Sequence, residues 1–221
     1  MNVEKDMLST QDWLTILHRI AGVFERSRER LNALDGAIGD GDHGVSMVVG
    51  FRAVLQAIES YTGDEALDRL FREAGEAFLA AVGGAIGPLI GTMFTDAGKK
   101  LAGCSAFGAA QFREMLTAME SAVVRRGKAE IGDKTILDSL HPAVEAVRAL
   151  PAADLPELCR AAAEAAEQGA EATAALISKR GRSARLGERT LGHPDAGATS
   201  LSLILQTIAE SIEETVDNRS S

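Results

Sequence analysis

Trp13-Leu14-Thr15-Ile16-Leu17-His18-Arg19-Ile20-Ala21-Gly22-Val23-Phe24 is the stretch that sets the fold class. Trp13, Leu17, Ile20 and Phe24 recur at the spacing that gathers side chains onto one helix face, whereas in a strand they would fall on both faces. Just upstream, Ser9-Thr10-Gln11-Asp12 has the pattern of a helix start, with Ser9 as cap and Asp12 in the donor-rich first turn. The periodicity carries this first helix to about Leu31. At the other end of the chain, Leu201, Ile204, Leu205, Ile208 and Ile212 repeat the pattern within Ala198–Val216.

Between these two stripes the same reading places helices over His43–Tyr61, Asp64–Ala81, Pro88–Ala102, Phe107–Arg125, Lys134–Ala149 and Asp154–Ser178. Pro88 stands at the start of its helix, where its missing N–H costs nothing. Aromatics make up only 4% of the 221 residues, proline is rare, and few stretches alternate as a strand does. An all-α fold of about eight helices follows. The length is enough for one full core, so residues 1–221 are expected to form a single domain.

The net charge of −9 argues against a surface that coats nucleic acid, because such affinity comes from clustered Lys and Arg. Any phosphate must therefore be met locally. Cys104 and Cys159 lack metal or redox spacing and read as thiols of a reducing compartment. There is neither a secretory leader pattern nor an apolar run of the roughly 18 residues that a membrane span requires. No membrane partner and a cytoplasmic location are the expectations.

The connections are of two kinds. Those after the second, fourth and sixth helices are short: Thr62-Gly63, Gly103-Cys104-Ser105 and Leu150-Pro151. Those after the first, third, fifth and seventh, at 32–42, 82–87, 126–133 and 179–197, are Gly-rich and hold most of the unusual residues. In an up-and-down antiparallel arrangement all odd-numbered connections emerge at one end. The four unusual segments are thus expected around one mouth.

Asp35-Gly36-Ala37-Ile38-Gly39-Asp40-Gly41-Asp42-His43-Gly44 packs three carboxylates and four glycines into ten residues. Carboxylates held close repel one another unless a cation is shared, and hard oxygen donors suit Mg²⁺, which also recruits phosphate oxygens. Asp35, Asp40 and Asp42 are candidate metal ligands; the plainer alternative is a solvated, acidic helix start. Gly39 to Gly44 also spells GxGxxG, but no strand precedes it and two aspartates would repel a pyrophosphate. A Ca²⁺ loop beginning at Asp40 fails as well, since Val45 and Phe51 occupy the positions that need glycine and an acid.

Val82-Gly83-Gly84-Ala85-Ile86-Gly87-Pro88 runs into the fourth helix and reads either as an anion cradle of open backbone N–H groups or as an ordinary helix start. Arg126-Gly127-Lys128-Ala129-Glu130-Ile131-Gly132-Asp133-Lys134-Thr135 nearly spells a P-loop, but Asp133 intrudes and the preceding element is helical. Its basic and Gly residues can still line the mouth. The segment from Gly181-Arg182 through Leu186-Gly187-Glu188-Arg189 to Gly192-His193-Pro194-Asp195 is long and patterned, which favours function over disorder. His18 and His141 read as structural.

At these same four segments the sequence resembles the L subunit of the dihydroxyacetone kinases. The strings that carry the resemblance are Leu34-Asp35 with Ile38-Gly39-Asp40-Gly41-Asp42-His43-Gly44, Gly83-Gly84-Ala85 with Gly87-Pro88-Leu89 and Gly91-Thr92, Arg126-Gly127-Lys128-Ala129 with Gly132-Asp133-Lys134-Thr135, and Leu186-Gly187-Glu188-Arg189 with Gly192-His193, Asp195 and Gly197-Ala198-Thr199-Ser200. They span nearly the whole chain in order. The resemblance implies an eight-helix barrel with an ADP or ATP site at its open end and two Mg²⁺ ions on Asp35, Asp40 and Asp42. It places nucleotide contacts at His43, Gly44, Val45 and Ser46, at Ala85 and Ile86, at Gly127 and Ile136, and at Arg182, Pro194, Asp195 and Ala196. It also implies a separate K subunit that holds the ketose on a histidine, so no catalytic residue is assigned to this chain and acceptor activation falls to that partner.

Four positions depart from the family pattern: Ser46 stands for Asn, Ile86 for Ser, Ile136 for Met and Ala196 for Pro. Ile86 matters most, because it removes a hydroxyl donor from a phosphate site. Two branches of the family remain open, one using exchangeable ATP and one keeping ADP that a phosphotransferase-system protein rephosphorylates; a separate L chain favours the second. The alternative reading is a regulatory nucleotide-binding subunit with weakened catalysis. A phosphohydrolase with an Asp nucleophile, suggested by Asp40-Gly41-Asp42, fits poorly without a parallel strand ahead of it.

Overall fold

The computed structural model describes residues 7–220. Eight α-helices follow one another: α1 (Thr10–Ile38), α2 (His43–Ala57), α3 (Leu67–Ala81), α4 (Ile86–Lys100), α5 (Ala109–Gly127), α6 (Leu137–Arg148), α7 (Leu155–Ala172) and α8 (Ala196–Ser220). Two 3₁₀ segments, Thr173–Ala175 and Ser183–Thr190, lie between α7 and α8. Among the described residues there is no strand, only an isolated bridge in which Leu8 and Phe107 exchange two 2.8 Å hydrogen bonds.

Each helix packs on the next, and α8 packs on both α7 and α1, so the ring closes as an up-and-down antiparallel barrel. Its entry is fixed by the expected capping box: Ser9 Oγ accepts from Asp12 N at 3.3 Å and Asp12 Oδ2 accepts from Ser9 N at 2.7 Å. The few aromatic residues are concentrated inside. Trp13 meets Phe71 and Phe107 edge-on at 4.7 and 4.8 Å, and Phe51 stacks on Phe24 at 4.9 Å while meeting Phe78 edge-on. Helix α8 also touches α6, and it buries Ser200, Ser202, Thr207 and Ser211 as well as its apolar stripe. Thr207 meets the cost by donating to Leu203 O, one turn back, at 2.7 Å.

Several boundaries differ from the sequence reading. Helix α1 runs to Ile38 rather than Leu31, so Asp35 sits in a helical turn. Pro88 is the third residue of α4, which begins at Ile86. Helix α6 begins at Leu137 rather than Lys134, because Lys134 adopts a left-handed backbone with φ of 62°. Helix α7 stops at Ala172, and after one 3₁₀ turn Leu176 is extended.

Helices α1 and α2 come together where α2 begins. A Cβ on Gly44 would lie 2.1 Å from Arg28 O, so only glycine permits this approach. The alternation of directions sends the α1–α2, α3–α4, α5–α6 and α7–α8 connections to one end, as expected, and the short ones to the other.

Candidate functional site

A cavity of about 730 Å³ opens at the end where the odd connections meet. Its wall takes Asp35 from the end of α1 with Asp40 and Asp42 beyond it, Gly83 to Ile86 where α4 starts, Arg126 and Gly127 from the end of α5 with Ala129 beyond it, and Arg180 to Ser183 with Asp195 to Gly197 from the last connection and the start of α8. A smaller groove, about 480 Å³, lies at the opposite end beside His18 and Tyr61 and has neither an acidic cluster nor a glycine turn.

Asp35 projects from the last turn of α1, and its Oδ2 accepts from Gly41 N at 2.9 Å and Asp42 N at 3.0 Å. These bonds fold the connection back so that one carboxylate oxygen each of Asp35, Asp40 and Asp42 lies within 4.8 Å of the others. Arg182 reaches across from the last connection to pair with Asp40. Three clustered carboxylates against one cation leave excess negative charge, and an all-oxygen donor set with exposed members suits a hard divalent ion. His43, next in sequence, is buried and hydrogen-bonds through Nε2 to Ser200 Oγ at 2.8 Å. Burial pushes its pKa down to about 4, against the pull of Asp35, so the ring is neutral near pH 7.

Across the cavity, α4 begins without a side-chain cap, its first turn preceded by Gly83 and by Gly84 at φ of 68°. Uncapped N–H groups at the positive end of a helix form an anion site. The Ile86 side chain is half-buried against the hydrophobic core, so that residue offers the cavity backbone N–H only. Asp195 precedes α8, where its Oδ2 accepts from Ala198 N at 2.8 Å. Burial is the main cause that raises its carboxyl pKa to about 6, with Asp138 adding to it and Lys134 opposing.

The P-loop-like string has a different use from its namesake. Asp138 accepts from Gly132 N at 2.5 Å and Thr135 N at 2.7 Å, curling the connection, and Lys134 is buried with its Nζ on backbone carbonyls. Of the residues expected to touch a nucleotide, His43, Ser46, Ala85, Ile86, Gly127, Ile136, Arg182, Asp195 and Ala196 all line the cavity. Gly44, Val45 and Pro194 do not line it. Gly44 faces α1, and Val45 donates its N–H to Asn32 Oδ1 at 3.2 Å and leaves its side chain exposed at the rim. Sequence reasoning missed the apolar wall of Leu89 and Val123, did not single out Arg180, and placed Lys134 at the mouth without its burial. Leu89 and Val123 sit one turn from the Gly-rich segments, which is the signal that could have found them. His141, read as structural, pairs with Glu120 at 2.6 Å, away from the cavity. Cys159 is buried and Cys104 half-buried, both as free thiols. Among the described residues no helix is long and apolar enough to cross a membrane.

Comparison with known proteins agrees with this layout. Residues 37–210 match the DAK2 domain. The chain is 37% identical over 203 residues to the ADP-binding subunit of PEP-dependent dihydroxyacetone kinase 2 of Listeria innocua, covering 91% of this chain and 94% of that one. It is 36% identical over 205 residues to the corresponding subunit of Escherichia coli, covering 92% and 96%. The crystal structure of the dihydroxyacetone kinase from C. freundii in complex with AMP-PNP and Mg²⁺ superposes with a TM-score of 0.68 at 29% identity, over 90% of this chain and 33% of that longer one. By sequence and by fold, the chain belongs to the DAK2-domain family, among the L subunits of the dihydroxyacetone kinases.

Proposed function

We propose that this chain is the nucleotide-binding, phosphoryl-donating subunit of a kinase for dihydroxyacetone or a related short ketose, and that residues 1–221 act as one domain. The observation that carries the reading is the placement of the aspartate cluster and the uncapped start of α4 around one cavity. A polyphosphate entering this mouth needs cations on one side and N–H donors on the other. Asp35, Asp40 and Asp42 would hold Mg²⁺, two ions in the full site. Bound there, Mg²⁺ would neutralise charge on the transferring phosphoryl group. ADP or ATP would lie against Ala85, Ile86, Gly127, Ile136 and Ala196, with Arg182 and Asp195 at the open side. Support comes from the C. freundii enzyme, crystallised with AMP-PNP and Mg²⁺.

The chain's own residues position the phosphate and stabilise its charge. His43, the histidine beside the aspartate cluster, is buried and committed to Ser200, so it is not free to take a proton from an acceptor hydroxyl. The ketose and its activation are therefore assigned to a K partner. The surface supports a partner at this end: among the described residues, the large exposed hydrophobics Val45, Val49, Leu79, Val124, Ile131, Ile177 and Leu191 all lie at the mouth or within two turns of it. The two relatives matched nearly end to end are named as PEP-dependent, ADP-binding subunits. This favours ADP kept as a fixed cofactor and rephosphorylated by a phosphotransferase-system protein.

Native mass spectrometry of the purified protein, followed by phosphoryl transfer assays with a K partner, tests this. Bound ADP with magnesium, and ketose phosphate formed only with the partner, is the expected result. Neither bound nor bindable ADP would overturn the reading. ADP retained without any transfer would establish the second reading, a regulatory subunit, which Ile86 in the α4 turn favours.

A further inference from the structure

Lys134 is 2% exposed, at φ of 62°, a conformation that side chains with a Cβ rarely adopt. Its ammonium donates to Leu176 O at 3.0 Å and to Thr190 O at 2.5 Å, the two ends of the segment that carries Arg182. A neutral donor could not readily span both carbonyls, whereas an ammonium offers three N–H groups on one atom. Burying it is costly, and desolvation pulls its pKa down, so its retention needs a reason. Asp133, 5% exposed, grips the same segment from the other side: it accepts from Arg180 Nε at 2.7 Å, and its carbonyl accepts from Lys179 N at 3.1 Å. Within the segment, Thr190 Oγ1 accepts from Ser178 N at 3.0 Å and Ser178 Oγ meets Ser183 Oγ at 2.6 Å. Only the turn between these bonds is left to project, and Arg182 at its start is the residue that pairs with Asp40.

We propose that Lys134, with Asp133, is the positioning element of this site: the pair clamps 176–190 at its base and thereby presents Arg182 to the aspartate cluster. The part of this that concerns catalysis rests on the nucleotide reading above. The clamp itself does not. It follows that the long connection is not a lid hinged as a whole, because its base is tied down and only its tip is free to move.

Two measurements decide the matter. Trypsin has sites at Lys179, Arg180, Arg182, Arg185 and Arg189, and in the nucleotide-free protein Lys134→Met should raise cleavage there about tenfold or more while helix content stays unchanged. Cleavage at the wild-type rate in a folded Lys134→Met protein overturns the clamp. Should Lys134→Met fail to fold, Arg180→Gln breaks the same grip from the exposed side and is read in the same way. In phosphoryl transfer with the K partner, Lys134→Met should lower kcat about tenfold with little change in nucleotide KM. It should cost nothing further when combined with Arg182→Ala. Losses that add in the double variant overturn the positioning role. Wild-type protein that does not bind Mg·ADP would instead sink the nucleotide reading, and the proteolysis result would still judge the clamp.

Discussion

Replacing Asp195 by asparagine should stabilise the protein relative to wild type at neutral pH more than at acid pH. The carboxyl lies at the head of α8, accepting from Ala198 N at 2.8 Å, and an asparagine side chain keeps an oxygen for that bond. In the folded state its pKa stands at about 6 against an ordinary 3.8, chiefly through burial. The folded protein thus holds this proton more tightly than the unfolded chain. Its contribution to stability is full below about 3.8 and is lost as pH rises through about 6. The gap corresponds to at most roughly 3 kcal/mol. Asp195 is only half-buried and faces the cavity, where water screens it, so about 1–2 kcal/mol is expected. Urea unfolding of both proteins from pH 4 to 7.5 reads the difference, in which the low-pKa carboxylates Asp12, Asp96 and Asp133 cancel. The Asp195→Asn variant should gain on wild type by that amount across the window and level off above it. A constant difference, or one of opposite sign, would show that Lys134 holds the ionised carboxylate more strongly than burial opposes it.

Gly44→Ala should cost about 2–3 kcal/mol, because its Cβ would meet Arg28 O at 2.1 Å and push α2 from α1. Chemical denaturation measures this, and a loss under about 1 kcal/mol would mean that the helix pair yields easily. Ile86→Ser trades a half-buried apolar contact, about 1 kcal/mol of stability, for a hydroxyl at the start of α4. Turnover with a K partner should rise about tenfold or more if phosphate sits there. An unchanged rate would mean that the α4 turn does not meet the transferring group by a side chain.

The helix count, the closed antiparallel order and the gathering of four odd connections are legible in the sequence because each rests on local period and on parity. Helix ends are less legible, for reasons that are themselves structural. Asn32 to Gly36 looks like a loop when read alone, yet the turn persists because the connection folds back on it: Asp35 takes the N–H groups of Gly41 and Asp42. The glycines of this connection serve the fold-back rather than helix breaking: a Cβ on Gly39 would lie 2.4 Å from Asp35 Oδ1, and Gly41 turns the chain at φ of 79°. Lys134, by local pattern, reads as part of a helix start at the mouth. Its burial depends on carbonyls of Leu176 and Thr190, distant in sequence, which no local pattern reveals. The same holds for Val45, which shares its segment with His43 but points outward because α2 turns it to the rim.

The measurement that bears most directly on the central claim is titration calorimetry of ADP with Mg²⁺ into the wild type, Asp40→Asn and Asp42→Asn, each repeated in EDTA. At net charge −9, with three carboxylates within 4.8 Å at the mouth, a polyphosphate should be repelled until a divalent cation reverses the local charge. Wild-type binding is therefore expected to vanish in EDTA. Each variant should bind at least about tenfold more weakly with its helix content unchanged, because both aspartates are exposed and outside the core. Wild-type affinity that survives EDTA, or variants that bind as tightly as wild type, would show that the aspartates merely shape the α1–α2 turn and that the site is not built on metal.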